Sequence, residues 1–335
     1  MNIIIPMAGM GKRMRPHTLT TPKPMVHVAG KPIVHRMVED IISTCKQKVE
    51  EISFIISPAF GEEVEQNLLA IAEGLGAKGK ICYQREAHGT AHAILCAEES
   101  LRGNVFIAFA DTLFKAVFDF DANKDAIIWT QKVQDPSAFG VVKLNEKEEI
   151  TAFVEKPKEF VSDLAIIGMY YFKDGENLKK ELQRLIDEDI KLKGEYQITD
   201  AMDHMLQKGM KFYTDRVEEW LDCGNKDATV YTNQRILELK KDKETLVHSS
   251  VTTKNSVIIA PCYIAEGVVI ENSVVGPHVS LSKGVKVVDS RITNSIIQSD
   301  TIVKNARIEN SMLGKSVTYE EKPQDLSLGD FSTKS

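Results

Sequence analysis

Apolar and polar residues follow two different periods along roughly the first 210 residues. Short apolar runs without a helical period predict buried strands at Ile3–Ile5, Ile52–Ile56, Ile81–Tyr83 and Val105–Ala110. Between them, apolar residues recur on one helical face after Pro32, from about residue 62 to 72 and from about residue 90 to 101, which predicts helices. This alternation predicts an α/β fold, with a mostly parallel sheet covered on both faces.

The last third of the chain has a different pattern. From about Leu246, apolar residues recur in steps of five or six, and four Asn-Ser pairs begin at positions 255, 272, 294 and 310. These spacings predict coils of about 17 residues, each burying its apolar positions against the next coil. The pattern resembles the left-handed parallel β-helix of hexapeptide-repeat proteins, in about four turns. The apolar positions that indicate this packing are Ile264, Ile270, Val275, Leu281, Val287, Ile292, Ile302 and Ile308.

These patterns divide the chain into four predicted parts. They are an α/β domain over residues 1–225, a connecting helix over 226–245, the β-helix over 246–319 and a polar tail over 320–335. We expect the β-helix to serve assembly or regulation. Some such domains transfer acyl groups, and His278 is the main candidate for the histidine they need. Gly276-Pro277-His278 is, however, more typical of a coil corner.

Composition and charge narrow the class of protein. The chain has 335 residues, of which 43% are hydrophobic, and a formal net charge of −6, which argues against nonspecific nucleic-acid binding. No apolar run approaches membrane-spanning length and no signal peptide is predicted, so we expect a cytoplasmic protein without a membrane partner. Five cysteines, never spaced as Cys-x-x-Cys, predict reduced thiols rather than disulfides or a zinc site.

A glycine-basic loop follows the first strand. Gly9 and Gly11 lie where the backbone must turn sharply or approach a ligand closely, and Lys12, Arg13 and Lys23 contribute cations, together with Arg15. Backbone N–H groups and fixed positive charges beside a strand end suit a polyphosphate. A plain solvated turn is the alternative, but four cations within a dozen residues favour phosphate binding. The common mononucleotide and dinucleotide loop motifs are both absent.

Two carboxylates follow apolar segments that lie far apart in the sequence. Asp111 comes directly after Val105–Ala110, and Asp222 follows Trp220-Leu221 and precedes Cys223-Gly224. Ligands of such sheets bind beyond the carboxyl ends of the strands, where the glycine-basic loop and Asp111 both fall. Two converging carboxylates would suit Mg2+, which prefers carboxylates, waters and substrate phosphates. Taken alone, an Asp such as Asp111 is equally well a turn or cap residue.

The basic loop is part of a longer motif. The segment Ala8-Gly9-x-Gly11-x-Arg13-Met14, followed by Pro16, Thr18 and Pro22-Lys23-Pro24, resembles the signature of the sugar-1-phosphate nucleotidyltransferases. The resemblance implies a Rossmann-like, mostly parallel mixed sheet. It also implies that Asp111 and Asp222, the latter in the segment that resembles the family's Trp-Leu-Asp-x-Gly, jointly hold a catalytic Mg2+. In one departure from the commoner family pattern, the loop is one residue shorter and Lys12 replaces a Thr, so a charge replaces a hydroxyl contact to phosphate.

Further segments resemble the same family. Residues 83–91 resemble its base-recognition stretch, in which the Gln84 amide would read the edge of a pyrimidine and Gly89 would let the ring approach. Segments at 139–142, 154–157, 167–170 and 194–200 resemble the sugar-phosphate pocket, and Thr199 or Asp200 would cap the following helix. Without the resemblance, Gln84 would be interpreted as a surface residue. The implied nucleotide-binding residues are Ala8, Gly9, Gly11, Lys12, Gln84, Gly89 and Thr90, and the implied sugar-phosphate residues are Gly140, Glu155, Lys156, Gly168, Tyr170 and Glu195.

The activity implied by the resemblance is nucleotidyl transfer. A nucleoside triphosphate and a sugar 1-phosphate would give a nucleotide-sugar and pyrophosphate, by metal-assisted in-line attack on the α-phosphate. Arg13 and Lys23 would stabilise charge at the triphosphate, Lys156 would orient the nucleophile, and Glu155 and Glu195 would contact the sugar.

The substrates expected from the resemblance are dTTP or UTP and glucose 1-phosphate. GTP with mannose 1-phosphate is the alternative, and a noncatalytic regulatory or assembly subunit is an alternative of another class. A homo-oligomer is expected. The histidines, including His17, His88 and His92, are assigned neither a catalytic nor a metal-binding role, because no third ligand is evident near the last two.

Overall fold

The computed structural model describes residues 1–116, 120–322 and 324–333. The chain divides into two compact units, of which the first comprises Met1–Val26 with Lys31–Ala228 and the second His27–Gly30 with Thr229–Ser335. Among the described residues, no helix combines the length and the apolar character needed to cross a membrane. The predicted domain limits at residues 225, 245 and 319 stay predictions.

The elements up to residue 222 alternate between strands and helices at first and then become mostly strands. In chain order they are β1 (Asn2–Pro6), β2 (His27–Val28), β3 (Lys31–Pro32), α1 (Ile33–Thr44), β4 (Glu51–Ile56), α2 (Glu62–Gly74), β5 (Lys78–Tyr83), α3 (Thr90–Leu95), β6 (Val105–Ala108), β7 (Thr112–Lys115), β8 (Ala126–Lys132), β9 (Gly140–Leu144), β10 (Ile150–Glu155), β11 (Leu164–Phe172), α4 (Gly175–Asp187), α5 (Ile198–Gln207), β12 (Phe212–Arg216) and β13 (Glu219–Asp222).

A nine-stranded mixed sheet organises the first unit. Its main path runs β10-β9-β11-β6-β1-β4-β5, and β8 pairs with both β11 and β12. The strands β6, β1, β4 and β5 are mutually parallel, whereas β11 runs antiparallel to β6, β8 and β9. The four parallel strands are the apolar runs that the sequence predicted, and the antiparallel strands extend the sheet beyond them. The predicted mixed, mostly parallel sheet with helices is therefore confirmed.

Both faces of the central strands are buried. Ile4 packs in a core with residues of α3, α4 and α5, including Ile94, Leu182 and Met202. Ile3 and Ile5 point to the opposite face and are also fully buried. A strand covered on both sides must be apolar at every position, which is why β1 is a continuous run rather than an alternation.

Several predicted element boundaries differ from the structure. The strand predicted to end at Ala110 ends at Ala108, so Asp111 lies in the turn before β7 rather than at the strand end. The helix predicted over about 90–101 ends at Leu95, and a short 3-10 turn at Glu98–Ser100 follows. Pro32 is the residue before α1 rather than its first helical residue. Strand β5 begins at Lys78, before its apolar run, because pairing with β4 continues through polar residues.

The second unit contains three sheets of short parallel strands. After helix α6 (Lys226–Lys240), the strands are β14 (Thr252–Lys254), β15 (Val257–Ile258), β16 (Tyr263–Ile264), β17 (Val269–Glu271), β18 (Val274–Val275), β19 (Ser280–Leu281), β20 (Lys286–Val288), β21 (Arg291–Thr293), β22 (Ile296–Ile297), β23 (Ile302–Lys304), β24 (Arg307–Glu309), β25 (Met312–Leu313) and β26 (Thr318–Glu320). The sheets are β14-β17-β20-β23-β26, β15-β18-β21-β24 and β16-β19-β22-β25. Each strand pairs with the one a coil later, which confirms the predicted β-helix.

The Asn-Ser pairs have a structural role at the coil corners. Asn255, Asn272, Asn294 and Asn310 have positive φ angles, which Asn tolerates better than most residues. The serine that follows such a corner accepts a hydrogen bond from the backbone N–H of the next coil, as Ser256 does from Ser273 and Ser273 does from Ser290. The corner side chains form two hydrogen-bonded columns. Asn255, Asn272 and Asp289, which also has a positive φ, belong to the first column, and Asn294 and Asn310 belong to the second. The irregular spacing of 22 between Asn272 and Asn294 arises because these two residues belong to different columns.

One predicted core position of the β-helix is wrong. Ile302 is only partly buried, and Val303 is the fully buried residue of this coil. Val303 pairs with the buried Val287 of the preceding coil, whereas Ile302 pairs with the exposed Lys286, so Ile302 lies on the outward-facing side of the strand. His278 lies at a corner with a φ of 63° and its Nε2 lies 2.7 Å from Glu238 Oε1.

Candidate active site

A cleft of about 570 Å³ opens at the carboxyl end of β1. It brings together all seven residues that the sequence assigned to nucleotide binding, although they come from two separate segments. The predicted residues that line it are Ala8, Gly9, Gly11, Lys12, Arg13, Lys23, Gln84, Gly89, Thr90, Asp111 and Glu195. The residues Gly140, Glu155, Lys156, Gly168, Tyr170 and Asp222 lie outside this lining.

The glycine-basic loop is shaped by one close approach. Gly11 has a φ of +57°, and a Cβ atom built on it would lie 2.8 Å from Lys23 Cβ. The hydroxyl of Thr18 donates to the Gly11 carbonyl at 2.8 Å. The following 3-10 turn, Lys12–Met14, is anchored by Met14, which is fully buried. Gly11 is thus required both by its backbone angle and by the proximity of Lys23.

Lys23 connects the basic loop to the predicted metal carboxylates. Its Nζ lies 3.1 Å from Asp111 Oδ2, and its side chain is only 9% exposed. Asp222 reaches the same region because β13 pairs antiparallel with β7, which sets Asp222 opposite Thr112. The Cys223 N–H donates to the Asp111 carbonyl at 3.0 Å. The convergence of Asp111 and Asp222, which the resemblance implied, is therefore present in the structure.

Electrostatics at this end of the cleft favour a bound cation. Burial raises the pKa of Asp222, Lys23 lowers it, and the Asp111 carboxylate raises it again. The Gly224 N–H donates to Asp222 Oδ1 at 2.9 Å, and Arg13 Nη2 lies 3.1 Å from the Cβ position of Gly224. Within the described residues, no cluster of three or more His, Cys, Asp or Glu side chains could enclose a metal ion. Two carboxylates fit Mg2+ with the remaining positions taken by substrate phosphates and water.

The predicted sugar-phosphate residues form a second group beside the cleft. Glu155 pairs with Gly140 across β9 and β10, and a Cβ on Gly140 would lie 2.9 Å from Glu155 Oε2. Lys156 Nζ lies 3.4 Å from Glu155 Oε1. Burial raises the pKa of Tyr170, and the nearby Glu155 and Asp111 carboxylates raise it further. Tyr170 thus lies between the predicted sugar pocket and the metal carboxylates.

Gly168 and Glu195 have structural contacts of their own. Gly168, with a φ of +79°, interrupts the pairing of β11 with β8 and packs against Phe109. Glu195 Oε2 accepts a hydrogen bond from Gln197 Nε2 at 3.0 Å, and Gln197 Oε1 accepts one from the Thr90 hydroxyl at 3.1 Å. Glu195 is therefore joined to Thr90 of the predicted nucleotide site through Gln197.

The prediction that Thr199 or Asp200 caps a helix is wrong. Helix α5 begins at Ile198 after Gln197, whose own side chain does not cap it, and the Thr90 hydroxyl accepts a hydrogen bond from the Ile198 N–H at 3.0 Å. Thr199 instead donates to Glu155 Oε2 at 3.4 Å, and Asp200 Oδ2 is buried and has no hydrogen-bond partner among the described residues. Gln197 and Thr199 both lie in the segment 194–200 that resembles the sugar-phosphate pocket, and this resemblance could have assigned them to the site.

Trp220 is a second residue that the sequence reasoning did not assign to the site. It lies two residues before Asp222 on β13, so both side chains point to the same face of the strand. Its ring packs edge-on against Phe139, with centroids 5.4 Å apart, and its Nε1 is buried with no hydrogen-bond partner in the part of the chain that the structure describes. Phe139 accepts a backbone hydrogen bond from Lys156, so Trp220 borders the predicted sugar-phosphate pocket.

A protein-family comparison matches residues 2–238 to the family described as nucleotidyl transferase. The chain belongs to this family. The match covers more than two thirds of the chain and confirms the nucleotidyltransferase predicted from the loop and its companion segments. The fold described above is thus that of a nucleotidyl transferase.

Similar proteins extend over most of the nucleotidyl transferase and its β-helix. A glucose-1-phosphate thymidylyltransferase of Streptomyces griseus is 27% identical over 99% of this chain and 98% of its own. The low-salt glycan biosynthesis nucleotidyltransferase of Haloferax volcanii is 30% identical over 92% of this chain and 90% of its own. A Drosophila melanogaster mannose-1-phosphate guanylyltransferase catalytic subunit beta is 34% identical over 50% of this chain and 47% of its own.

A solved structure supports the fold. A Bacillus anthracis protein assigned as a glucose-1-phosphate thymidylyltransferase, crystallised with a sucrose, superimposes with a TM-score of 0.60 at 23% identity. It covers 73% of this chain and 96% of that chain. At this identity the likeness concerns the fold alone.

Proposed function

We propose that this nucleotidyl transferase joins dTTP or UTP to glucose 1-phosphate, giving a nucleotide-sugar and pyrophosphate. The observation that carries the proposal is that the glycine-basic loop, Lys23 and Asp111 line one cleft and that the pairing of β7 with β13 brings Asp222 beside Asp111. Fixed cations and hard oxygen ligands at one place suit a triphosphate that is bound together with a metal ion. Full-length similarity to the thymidylyltransferase of Streptomyces griseus supports the choice of substrates.

The reaction is a substitution at phosphorus. An oxygen of the sugar phosphate would form a bond to the α-phosphorus of the nucleotide, while the bond from that phosphorus to the bridging oxygen of the β-phosphate breaks. The electron pair leaves with pyrophosphate, so neither a covalent enzyme intermediate nor a strong base is needed. Most of the barrier is positioning and charge repulsion between two anions.

The cations of the cleft would reduce this repulsion. Arg13 and Lys23 line the cleft near the Asp111 and Asp222 carboxylates and would stabilise negative charge on the α-phosphate and on the departing pyrophosphate. Members of the family generally use a divalent metal, and we propose Mg2+ held by Asp111 and Asp222. When bound, Mg2+ would neutralise phosphate charge and orient the phosphate oxygens.

The sugar phosphate would lie on the side of Glu155, Lys156 and Tyr170. Lys156 has a left-handed backbone with a φ of 43°, and its side chain is about half exposed, so it can reach an incoming phosphate. Glu155, 14% exposed, is hydrogen-bonded by Thr199 and can accept a sugar hydroxyl. The buried, unpaired Asp200 Oδ2 and Trp220 Nε1 provide an acceptor and a donor in the same region.

A guanylyltransferase acting on mannose 1-phosphate is the second candidate. The similarity to the Drosophila guanylyltransferase subunit supports it, although this similarity covers only half of the chain. A noncatalytic subunit is disfavoured because each position assigned to the triphosphate and the metal holds a competent residue. For the β-helix we propose a role in homo-oligomer assembly. We propose no acyl-transfer role for His278, because its Nε2 already contacts Glu238.

A substrate panel would test the proposal. The full-length protein is assayed for pyrophosphate release with dTTP, UTP, GTP, ATP and CTP, each with glucose-, mannose-, galactose- and N-acetylglucosamine 1-phosphate, in the presence of Mg2+. We expect dTTP or UTP with glucose 1-phosphate to give the highest kcat/KM. Nucleotide binding without formation of any nucleotide-sugar would refute the catalytic assignment and support the noncatalytic subunit.

A further inference from the structure

Gln84 of the cleft has only one side-chain atom left for a ligand. Its Nε2 lies 3.3 Å from the Gly89 carbonyl and 3.2 Å from His92 Nδ1. A primary amide nitrogen carries two hydrogens, and these two contacts use both of them. The remaining polar atom, Oε1, has no partner among the described residues. Gln84 therefore faces a nucleotide as an acceptor, whereas the sequence alone had offered both a donor and an acceptor.

The Gly89 carbonyl determines which way the amide points. Gly89 has a φ of +107°, and a Cβ built on it would lie 2.4 Å from the Tyr196 carbonyl oxygen. The Tyr196 N–H donates to the His88 carbonyl at 2.8 Å, and the Ala91 N–H donates to the Tyr196 carbonyl at 3.0 Å, so the backbone on both sides of Gly89 is fixed. A carbonyl can only accept, so it must face the amide nitrogen rather than the amide oxygen.

His92 must then accept the second amide hydrogen. This requires a neutral imidazole with its proton on Nε2 and a lone pair on Nδ1. Burial lowers the pKa of His92, the nearby His88 lowers it further, and Glu86 opposes them. His88 packs against His92 edge-on with ring centroids 5.1 Å apart, and its own Nε2 lies 2.7 Å from Glu86. The surroundings therefore favour the neutral imidazole that the amide requires.

We propose that His92 is a positioning residue that, together with the Gly89 carbonyl, fixes Gln84 as an acceptor and so selects bases that present an imino N–H. Thymine and uracil offer N3–H and guanine offers N1–H, whereas cytosine N3 and adenine N1 are acceptors and would face Gln84 Oε1 lone pair to lone pair. A site built to accept a hydrogen bond rejects an analogue that lacks the donor. The inference rests on the proposed function, because it assumes that this cleft holds a nucleotide base.

The experiment compares UTP and CTP, which share ribose and triphosphate and differ at the base edge. Their equilibrium dissociation constants are measured by calorimetry with the full-length protein, Mg2+ and no sugar phosphate. His92→Leu removes the acceptor. His92→Gln moves the acceptor beyond reach of Gln84 and provides a second variant if the leucine protein does not fold. His92→Asn keeps an oxygen at the position of Nδ1, and His88→Leu is the matched control.

We expect His92→Leu and His92→Gln to lower the preference for UTP over CTP by roughly tenfold, because the amide is then held by the Gly89 carbonyl alone and its orientation is less firmly fixed. His92→Asn and His88→Leu should keep most of the preference, which a merely structural role of His92 would not explain. An unchanged preference in His92→Leu and His92→Gln, or an equal loss in His92→Asn, would overturn the inference while leaving the proposed function intact. A parent protein that binds no nucleotide would overturn both.

Discussion

Replacing Lys23 by Met tests whether this ammonium group occupies the cation position of the proposed metal site. Met keeps the length and the apolar stem of the side chain, which is 9% exposed, and removes the charge 3.1 Å from Asp111 Oδ2. Asp111 and Asp222 would then repel each other without a nearby ammonium. Because Lys23 lowers the pKa of Asp222, its removal should raise that pKa further.

The size of the effect follows from the distance and the exposure. Two unit charges at 3.1 Å attract by about 5 kcal/mol at an effective dielectric constant of about 20 and by about 1.3 kcal/mol in water. Asp111 is 46% exposed, so solvent screening places the loss near the lower value, about 1 to 2 kcal/mol. For a unit of this size, each 1 kcal/mol corresponds to about 2–4 °C in Tm. Lys23→Met should therefore lower the Tm of the first unit by about 2–8 °C.

Calorimetric melting with EDTA and with Mg2+ separates a cation site from simple loss of packing. At ten times its Kd, Mg2+ should restore about 1.4 kcal/mol to the variant. It should stabilise the parent less, because Mg2+ must there share Asp111 with Lys23. Lys115→Met is the matched control, since Lys115 pairs with Glu218 on the same two-stranded sheet and both side chains are about half exposed. The reasoning fails if Mg2+ raises the Tm of Lys23→Met no more than that of Lys115→Met. It also fails if Lys23→Met has the same Tm as the parent protein in EDTA.

Four further changes test other parts of the structure. Asp222→Asn should slow pyrophosphate release by roughly a hundredfold or more, whereas Asp215→Asn, at a carboxylate whose pKa burial also raises, should leave it unchanged because β12 pairs with β8 rather than with β7. Gly11→Ala should reduce activity and displace Lys23, while Gly9→Ala, whose Cβ would meet nothing within 4 Å, should be much milder in the same assay. Burial alone would raise the pKa of Glu181, but hydrogen bonds from Lys208, His204 and Arg184 lower it to about 2. Glu181→Gln should therefore cost at most about 3 kcal/mol near neutral pH, and denaturant unfolding should show the difference shrinking as the pH falls from about 4.5 towards 2. Ser290→Ala removes the hydroxyl that accepts from Ala306 N–H and donates to the Val288 carbonyl, and should destabilise the β-helix by about 1–3 kcal/mol in the same measurement.

The parts of the fold that could be predicted from sequence are those whose physical cause is local. The run Ile3–Ile5 is apolar because both faces of β1 are buried, and the steps of the β-helix repeat because each coil packs on the next. By contrast, β11 pairs antiparallel with β8 and β9 over longer separations, and nothing in any one of these strands specifies its neighbour. Ile302 shows the same limit, because Ile302 and Val303 are both apolar and both fit steps of five or six, and only the pairing of Val303 with the buried Val287 determines which one points inwards.

The candidate site was predictable as a set of residues but less so as a set of contacts. Asp111 and Asp222 meet because β7 pairs with β13, and only the family resemblance had implied their convergence. The sequence likewise does not show that the Gln84 nitrogen is already used by Gly89 and His92. Such contacts determine which atoms remain for a ligand, so residue types alone leave base selectivity open where the structure limits it.

The basic loop and the metal carboxylates are parts of one arrangement rather than two adjacent sites. A side chain at Gly11 would meet Lys23 Cβ at 2.8 Å, and Lys23 in turn lies 3.1 Å from Asp111. A shift of the loop backbone therefore moves an ammonium group relative to the proposed metal ligands. Because positioning and charge compensation supply most of the catalysis in a substitution between two anions, a small displacement at Gly11 should disturb both substrate phosphate and metal. This coupling explains why position 11 is a glycine.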